Sequence, residues 1–229
     1  MNVPHPGYKS EKPLIKPIAR MYKELGDQDA CIQLQELAVR YLERTVADLG
    51  DGAHEFLRGL YRDSDVPHGS HSFSEMSAVA SRSYLLVTYA LFEKMIKGCI
   101  REYRTRYPEI SPKWTDQQNG EQLSPLQRLA ANALPRHKRQ LVTPSEYKLL
   151  EYYRIVRNSG THVDAKSAEK ATKAFSAFSA ADIAHFREYA KISSAPNLPE
   201  QISFEDFRLF TRSIKYYSNI LNDVCGDEA

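Results

Sequence analysis

Tyr84-Leu85-Leu86-Val87-Thr88-Tyr89-Ala90-Leu91-Phe92-Glu93-Lys94-Met95-Ile96-Lys97-Gly98-Cys99-Ile100 is too apolar, on too many sides, for a surface helix. An apolar stripe on one side marks a helix lying on a core, whereas apolar residues on most sides mark one at the centre of a bundle. Glu93 and Lys94 are among its few polar exceptions. Upstream, Ser72 precedes Glu75 by three residues, the spacing of a capping box that satisfies orphan amides at a helix start. The helix so opened is expected to run to about Tyr107, where Pro108 follows.

Working outward toward the N-terminus, Leu34, Leu37, Ala38, Tyr41, Leu42, Val46 and Leu49 recur at three- and four-residue spacing and predict an amphipathic helix over 29–49. Gly50 and Gly52 interrupt it, and Phe56, Leu57, Leu60 and Tyr61 suggest a further short helix before a loop over 63–72. Residues 1–26, punctuated by Pro4, Pro6, Pro13 and Pro17, read as an extended arm. Toward the C-terminus, a loop holding Pro112 and Gly120 precedes a short helix over 125–134. Thr143-Pro144-Ser145-Glu146 then combines a cap, a proline for the first turn and an acid for the capping box. The helix it opens leads into Arg157. An Ala-rich helical stretch over 165–192, divided near Ser179, and a last helix over 203–224 complete the chain. No alternation of β-branched residues between hairpin turns occurs. The expected fold is all-α: a bundle of about four core helices, an additional N-terminal helix and a Pro-rich arm, with residues 27–225 as one helical domain.

The chain has 229 residues, 42% of them hydrophobic and 26% charged, a balance that supports a buried core without staples. A net charge of +2 is too small for a general nucleic-acid or membrane surface, so an anionic partner must meet a local cluster of Lys and Arg. Cys31, Cys99 and Cys225 are odd in number and far apart, and are expected as buried or half-buried thiols in a reducing compartment. No segment reads as a secretory leader or a membrane span, so a cytoplasmic location is expected.

The candidate chemistry lies in Arg157-Asn158-Ser159-Gly160-Thr161-His162. On a continuous helix Arg157 and His162 point about 140° apart, while Asn158 and His162 share a face. Gly160 can end or bend the helix there and let His162 turn toward Arg157. Arg154 and Thr161 flank the set as candidate substrate contacts. A histidine titrating near neutrality can take a proton from a 2′-hydroxyl or give one to a leaving 5′-oxygen. The guanidinium fork matches the phosphate oxygens on which charge grows, and Asn158 can orient the imidazole. The expected reaction is RNA cleavage without metal or cofactor. The plain alternative is that Arg157 and His162 only cap a helix C-terminus, where cations are favoured by the dipole.

A second Arg-x5-His pair, Arg62 and His68, falls in a loop with Pro67 and Gly69 and lacks helical support. His68 and His71 have no acid or Cys nearby and read as a solvated loop rather than a metal site. Glu93 either faces the site or pairs with Lys97 one turn on, and the latter is the commoner arrangement. Arg136-His137-Lys138-Arg139, and Arg101, Arg104 and Arg106, suit RNA phosphates and solvated helix ends equally. Phe175, Phe178, Phe186 and Tyr189 are expected in the core or a dimer interface.

Arg-Asn-x3-His at a helix end, after a long central helix and before a closing one, resembles the HEPN superfamily over about residues 75–225. The resemblance implies a helical bundle that forms a homodimer, in which two sets of Arg157, Asn158 and His162 meet as one composite endoribonuclease site. It further implies a toxin or anti-phage effector, with RNA as substrate and an antitoxin or defence-system protein as a possible partner, and no membrane association.

Overall fold

A computed structural model describes residues 12–65, 73–161 and 165–226. Its elements are α1 (Lys16–Leu49), α2 (Ala53–Asp63), α3 (Phe73–Arg106), a minimal hairpin of β1 (Gln117–Gln118) and β2 (Glu121–Gln122), α4 (Pro125–Asn132), α5 (Pro135–Val142), α6 (Ser145–Thr161), α7 (Ala165–Ser176), α8 (Ala180–Ala190) and α9 (Phe204–Cys225). The fold is an all-α bundle.

α3 packs against α1, α4, α6 and α9, the central position that its apolar middle requires. Leu85, Tyr89, Phe92, Ile96, Cys99 and Tyr103 face inward, and α9 contributes Leu209, Phe210, Tyr217, Leu221 and Val224 to the same core. Side-chain capping sets several helix starts. Ser124 accepts the Gln127 amide at 3.2 Å, and Ser179 accepts the Asp182 amide at 3.1 Å. Asp206, fully buried on α9, accepts from the Tyr153 hydroxyl at 2.9 Å, the Ser203 amide at 2.9 Å and the Asn197 amide at 3.0 Å, tying α6 and the 197–203 connection to α9.

The N-terminal arm differs from expectation. From Lys16 onward it is helix, Pro17 serves the first turn, and Ile18, Met21 and Leu25 lie in the core. Residues 1–11 lie outside the described residues. The face expected to bury over 29–49 is also not the one that does. Leu34, Leu37 and Tyr41 are 68%, 63% and 72% exposed, while Ile32 and Glu36 are buried. Periodicity shows that a face is apolar, but only neighbouring elements decide whether it is covered. The second half of α1 has passed the core, and α2 packs back on it.

Cys99 and Cys225 are buried as expected, but Cys31 is exposed. The basic run 136–139 lies on the short helix α5, with Arg136, Lys138 and Arg139 exposed but His137 fully buried, its Nδ1 paired with the Tyr103 hydroxyl at 2.8 Å. α6 begins at Ser145 and continues through Gly160 to Thr161, so glycine does not end the helix at its own position. Ser72 of the expected capping box, and His68 and His71, lie outside the described residues. Phe186 is buried, Phe178 packs edge-on against Phe175 and Tyr152, and Phe175 lies tilted against Tyr152, which places these aromatics in the core.

Candidate functional site

The inner face of α6 carries Leu149, Leu150, Tyr152, Tyr153 and Val156, all buried against the bundle. That face fixes the rotation of the helix, and the rotation places Arg154 and Arg157 half-buried along its edge. Arg157 NH1 donates to Glu93 Oε2 of α3 at 2.9 Å, and the guanidinium carbon lies 5.2 Å from the centroid of the Tyr89 ring. Tyr89 in turn stacks on Phe210 of α9, with centroids 5.8 Å apart and planes within 10°. Arg157 therefore rests on a rigid aromatic platform and is turned by a carboxylate, which limits its rotamers far more than water would.

Glu93 holds two cations. Its Oε1 accepts from Lys97 Nζ at 2.9 Å while Oε2 accepts from Arg157. Burial pushes this carboxyl upward, but the bonds from Lys97 and Arg157 outweigh it and hold it below the ordinary carboxylate range. The cluster of one acid and two cations is net positive. Tyr89 is driven the other way, chiefly by burial and then by the Glu151 charge, so its phenol stays neutral at physiological pH.

Arg154 is bound differently. Its Nε donates to Glu151 Oε2 at 2.8 Å, and Glu151 Oε1 accepts from the Ser124 hydroxyl at 2.9 Å. Glu151 thus braces α6 to the start of α4, and Arg154 holds Glu151 in place. The charges of Glu151, Arg154, Glu93 and Arg157 all bear on the Tyr89 phenol, and Arg157 is the one whose guanidinium lies over its ring. Asn158 is exposed, one residue beyond Arg157 on the last turns of α6. Thr161 closes the helix with its side chain outside the described residues, as is His162. The structure therefore brings together Arg157 and Glu93, ties Arg154 to Glu151 instead, and leaves the pairing of Arg157 with His162 to proposal.

A groove of about 450 Å3 opens beside Arg157, between α3 and the start of α7, with Val79, Leu86 and Val156 as apolar walls and Arg82 and Glu200 at its rim. Tyr89 and the double role of Glu93 were the parts least visible in sequence. The signal for Glu93 was its place, with Lys94 and Lys97, as a charged residue in the apolar middle of the helix. Set against protein-family models, curated proteins and solved structures, the chain matches none of them.

Proposed function

We propose that this chain is a metal-independent endoribonuclease of toxin or anti-phage type, with Arg157 and His162 catalytic and Asn158 supporting. The observation that carries the reading is the seating of Arg157: a guanidinium clamped between Tyr89 and Glu93, five residues before a histidine, on a net-positive cluster at a helix end. Such a cation meets a phosphodiester in one orientation. In the reaction the RNA 2′-oxygen attacks phosphorus as its proton passes to an imidazole, the bond to the 5′-oxygen breaks, and that oxygen takes a proton from an imidazolium. The products are a 2′,3′-cyclic phosphate and a 5′-hydroxyl. Arg157 offsets the charge growing on the non-bridging oxygens, Asn158 orients the imidazole, and Arg154 and Thr161 contact the flanking substrate.

Two imidazoles from two copies suit this chemistry better than one, since one takes the proton while the other gives it. The exposed side of α3 next to Arg157 supports a homodimer. Val79, Leu86 and Val87 are 63%, 36% and 48% exposed there, and Met76, Val79, Ser83, Leu86 and Ala90 follow the alternating three- and four-residue spacing of a helix seam. Pairing along that seam sets the two Arg157 positions near one another.

The test is incubation of purified chain with a generic single-stranded RNA in EDTA. Cleavage leaving cyclic-phosphate ends is expected, with a loss of at least a hundredfold in Arg157→Ala and in His162→Ala. Undiminished cleavage in both variants, or cleavage that requires a divalent ion, removes the proposal. A second reading, a non-catalytic helical assembly module or partner subunit, is favoured by the exposed Leu34, Leu37 and Tyr41 of α1, and it predicts partner binding with no cleavage in EDTA or magnesium.

A further inference from the structure

We infer that the C-terminal half of α3 is a binding ridge for the backbone of single-stranded RNA, which it leads to Arg157. Lys94, Lys97, Arg101 and Arg104 are all exposed and recur at three- and four-residue intervals, so they stand on one face of the helix over about 15 Å. The same outward face is apolar before Glu93 and basic after it, and Arg157 docks at the boundary. A single helix side therefore divides into a protein-facing half and an anion-facing half that meet at the candidate site.

The acids near the ridge do not cancel it. Glu93 is shared by Lys97 and Arg157, and Glu24, which faces α3 from α1, is shared by Lys94 at 2.9 Å and Arg20 at 2.6 Å. Each carboxylate is thus outnumbered by its cations. Among the described residues Arg101 has no ion-pair partner, although Glu102 follows it in the chain. Arg104 ends the row with its guanidinium 5.4 Å from the centroid of the Trp114 ring, a contact that holds the charge outward and in place. Neighbouring cations on such a face stand about 5 to 6 Å apart at Cβ, which gives a flexible polyanion a new partner with each turn. Between Lys94 and Arg104 the exposed residues of α3 are Lys97, Arg101 and Glu102, with no exposed large apolar side chain of the kind that insertion into a lipid surface would need. A strand neutralised in this way binds through phosphates and carries little sequence preference.

The inference rests on the nuclease reading only for where the strand ends. It is tested with the full chain carrying His162→Ala, so that RNA is bound without being cut. Anisotropy of a labelled single-stranded RNA of about 20 nucleotides is followed over about 50 to 300 mM KCl. Adding Arg101→Gln and Arg104→Gln should weaken binding at least tenfold at low salt. It should also flatten the plot of log affinity against log salt by about 1.4, the value for two lost phosphate contacts on a single strand. Arg44→Gln with Arg58→Gln, on the α1–α2 hairpin, should change neither quantity. Unchanged affinity and slope in the ridge variant overturns the inference. So does a ridge-dependent loss seen with polyglutamate or anionic vesicles and not with RNA. Wild-type cleavage combined with ridge-independent binding sinks the ridge alone, whereas ridge-dependent binding without wild-type cleavage sinks the nuclease reading alone.

Discussion

Glu93 shows how much one residue's meaning depends on what is folded against it. In sequence it either faces the candidate site or pairs with Lys97, four residues on; in the structure it bonds both Lys97 and Arg157, 64 residues away. The resulting depression of its pKa has a defined sign. A carboxyl whose folded pKa lies below its ordinary value of 4.5 contributes stability that is present above that value and lost as pH falls through the folded one. Glu93→Gln should therefore cost about 0.5 to 1 kcal/mol at pH 7, a small figure because the group is partly exposed and screened. Urea midpoints should show the gap between wild type and variant closing at acid pH, once pH has fallen through the lowered folded-state pKa and the wild-type carboxyl is also protonated. A gap that persists there would mean that Glu93 contributes through shape rather than charge. Arg157 and Asn158 were legible as candidates because their residue types and spacing carry chemistry by themselves. Tyr89 was not, because a tyrosine in an apolar run looks the same whether it fills space or supports a guanidinium.

At the scale of elements, the contact between α1 and α3 is set by a glycine. A Cβ added at Gly98 would lie 2.6 Å from Pro17 Cβ and 2.8 Å from Pro17 Cγ, closer than atoms can pack, and both partners sit on helices with little room to give. Gly98→Ala should cost about 1 to 3 kcal/mol by pushing the start of α1 away from α3, measured as a lowered urea midpoint. A neutral or stabilising result would show that α1 is loosely seated. The same contact explains why the arm expected over 1–26 is in part a helix. Pro17 read as a sign of extended chain, yet a proline in the first turn is as much a helix signal, and the apolar Ile18, Met21 and Leu25 that follow it are spaced for a buried face. α5 was missed for the reverse reason. Its charged composition suggested solvent, while His137 was held inside by Tyr103, a partner on another helix.

For the whole molecule, the proposed homodimer is the point to test. The exposed seam of α3 predicts that the wild-type chain, of 26.2 kDa, elutes with twice that mass in light-scattering chromatography. Val79→Glu with Leu86→Glu should give the single-chain mass while leaving the helical circular dichroism and thermal midpoint of the protomer nearly unchanged, since exposed positions contribute little to the folded chain. RNA cleavage should fall with dimerisation. A wild-type chain that is monomeric at micromolar concentration and cleaves RNA would remove the composite site and leave a single-copy mechanism. No helix among the described residues is long and apolar enough to cross a membrane.

Sequence alone determined the all-α class, the central place of α3 and most helix limits, because apolar periodicity, caps and prolines act within a few residues of where they stand. It also marked Arg157, since an arginine, an asparagine and a histidine in one short run need no tertiary context to be noticed. Only the tertiary structure decided which apolar faces are covered, that the first turns of α1 belong to the core, and that Arg157 is seated on Tyr89 and turned by Glu93. Those outcomes depend on contacts between residues dozens of positions apart, and burial, unlike helix formation, is a property of the partner as much as of the residue.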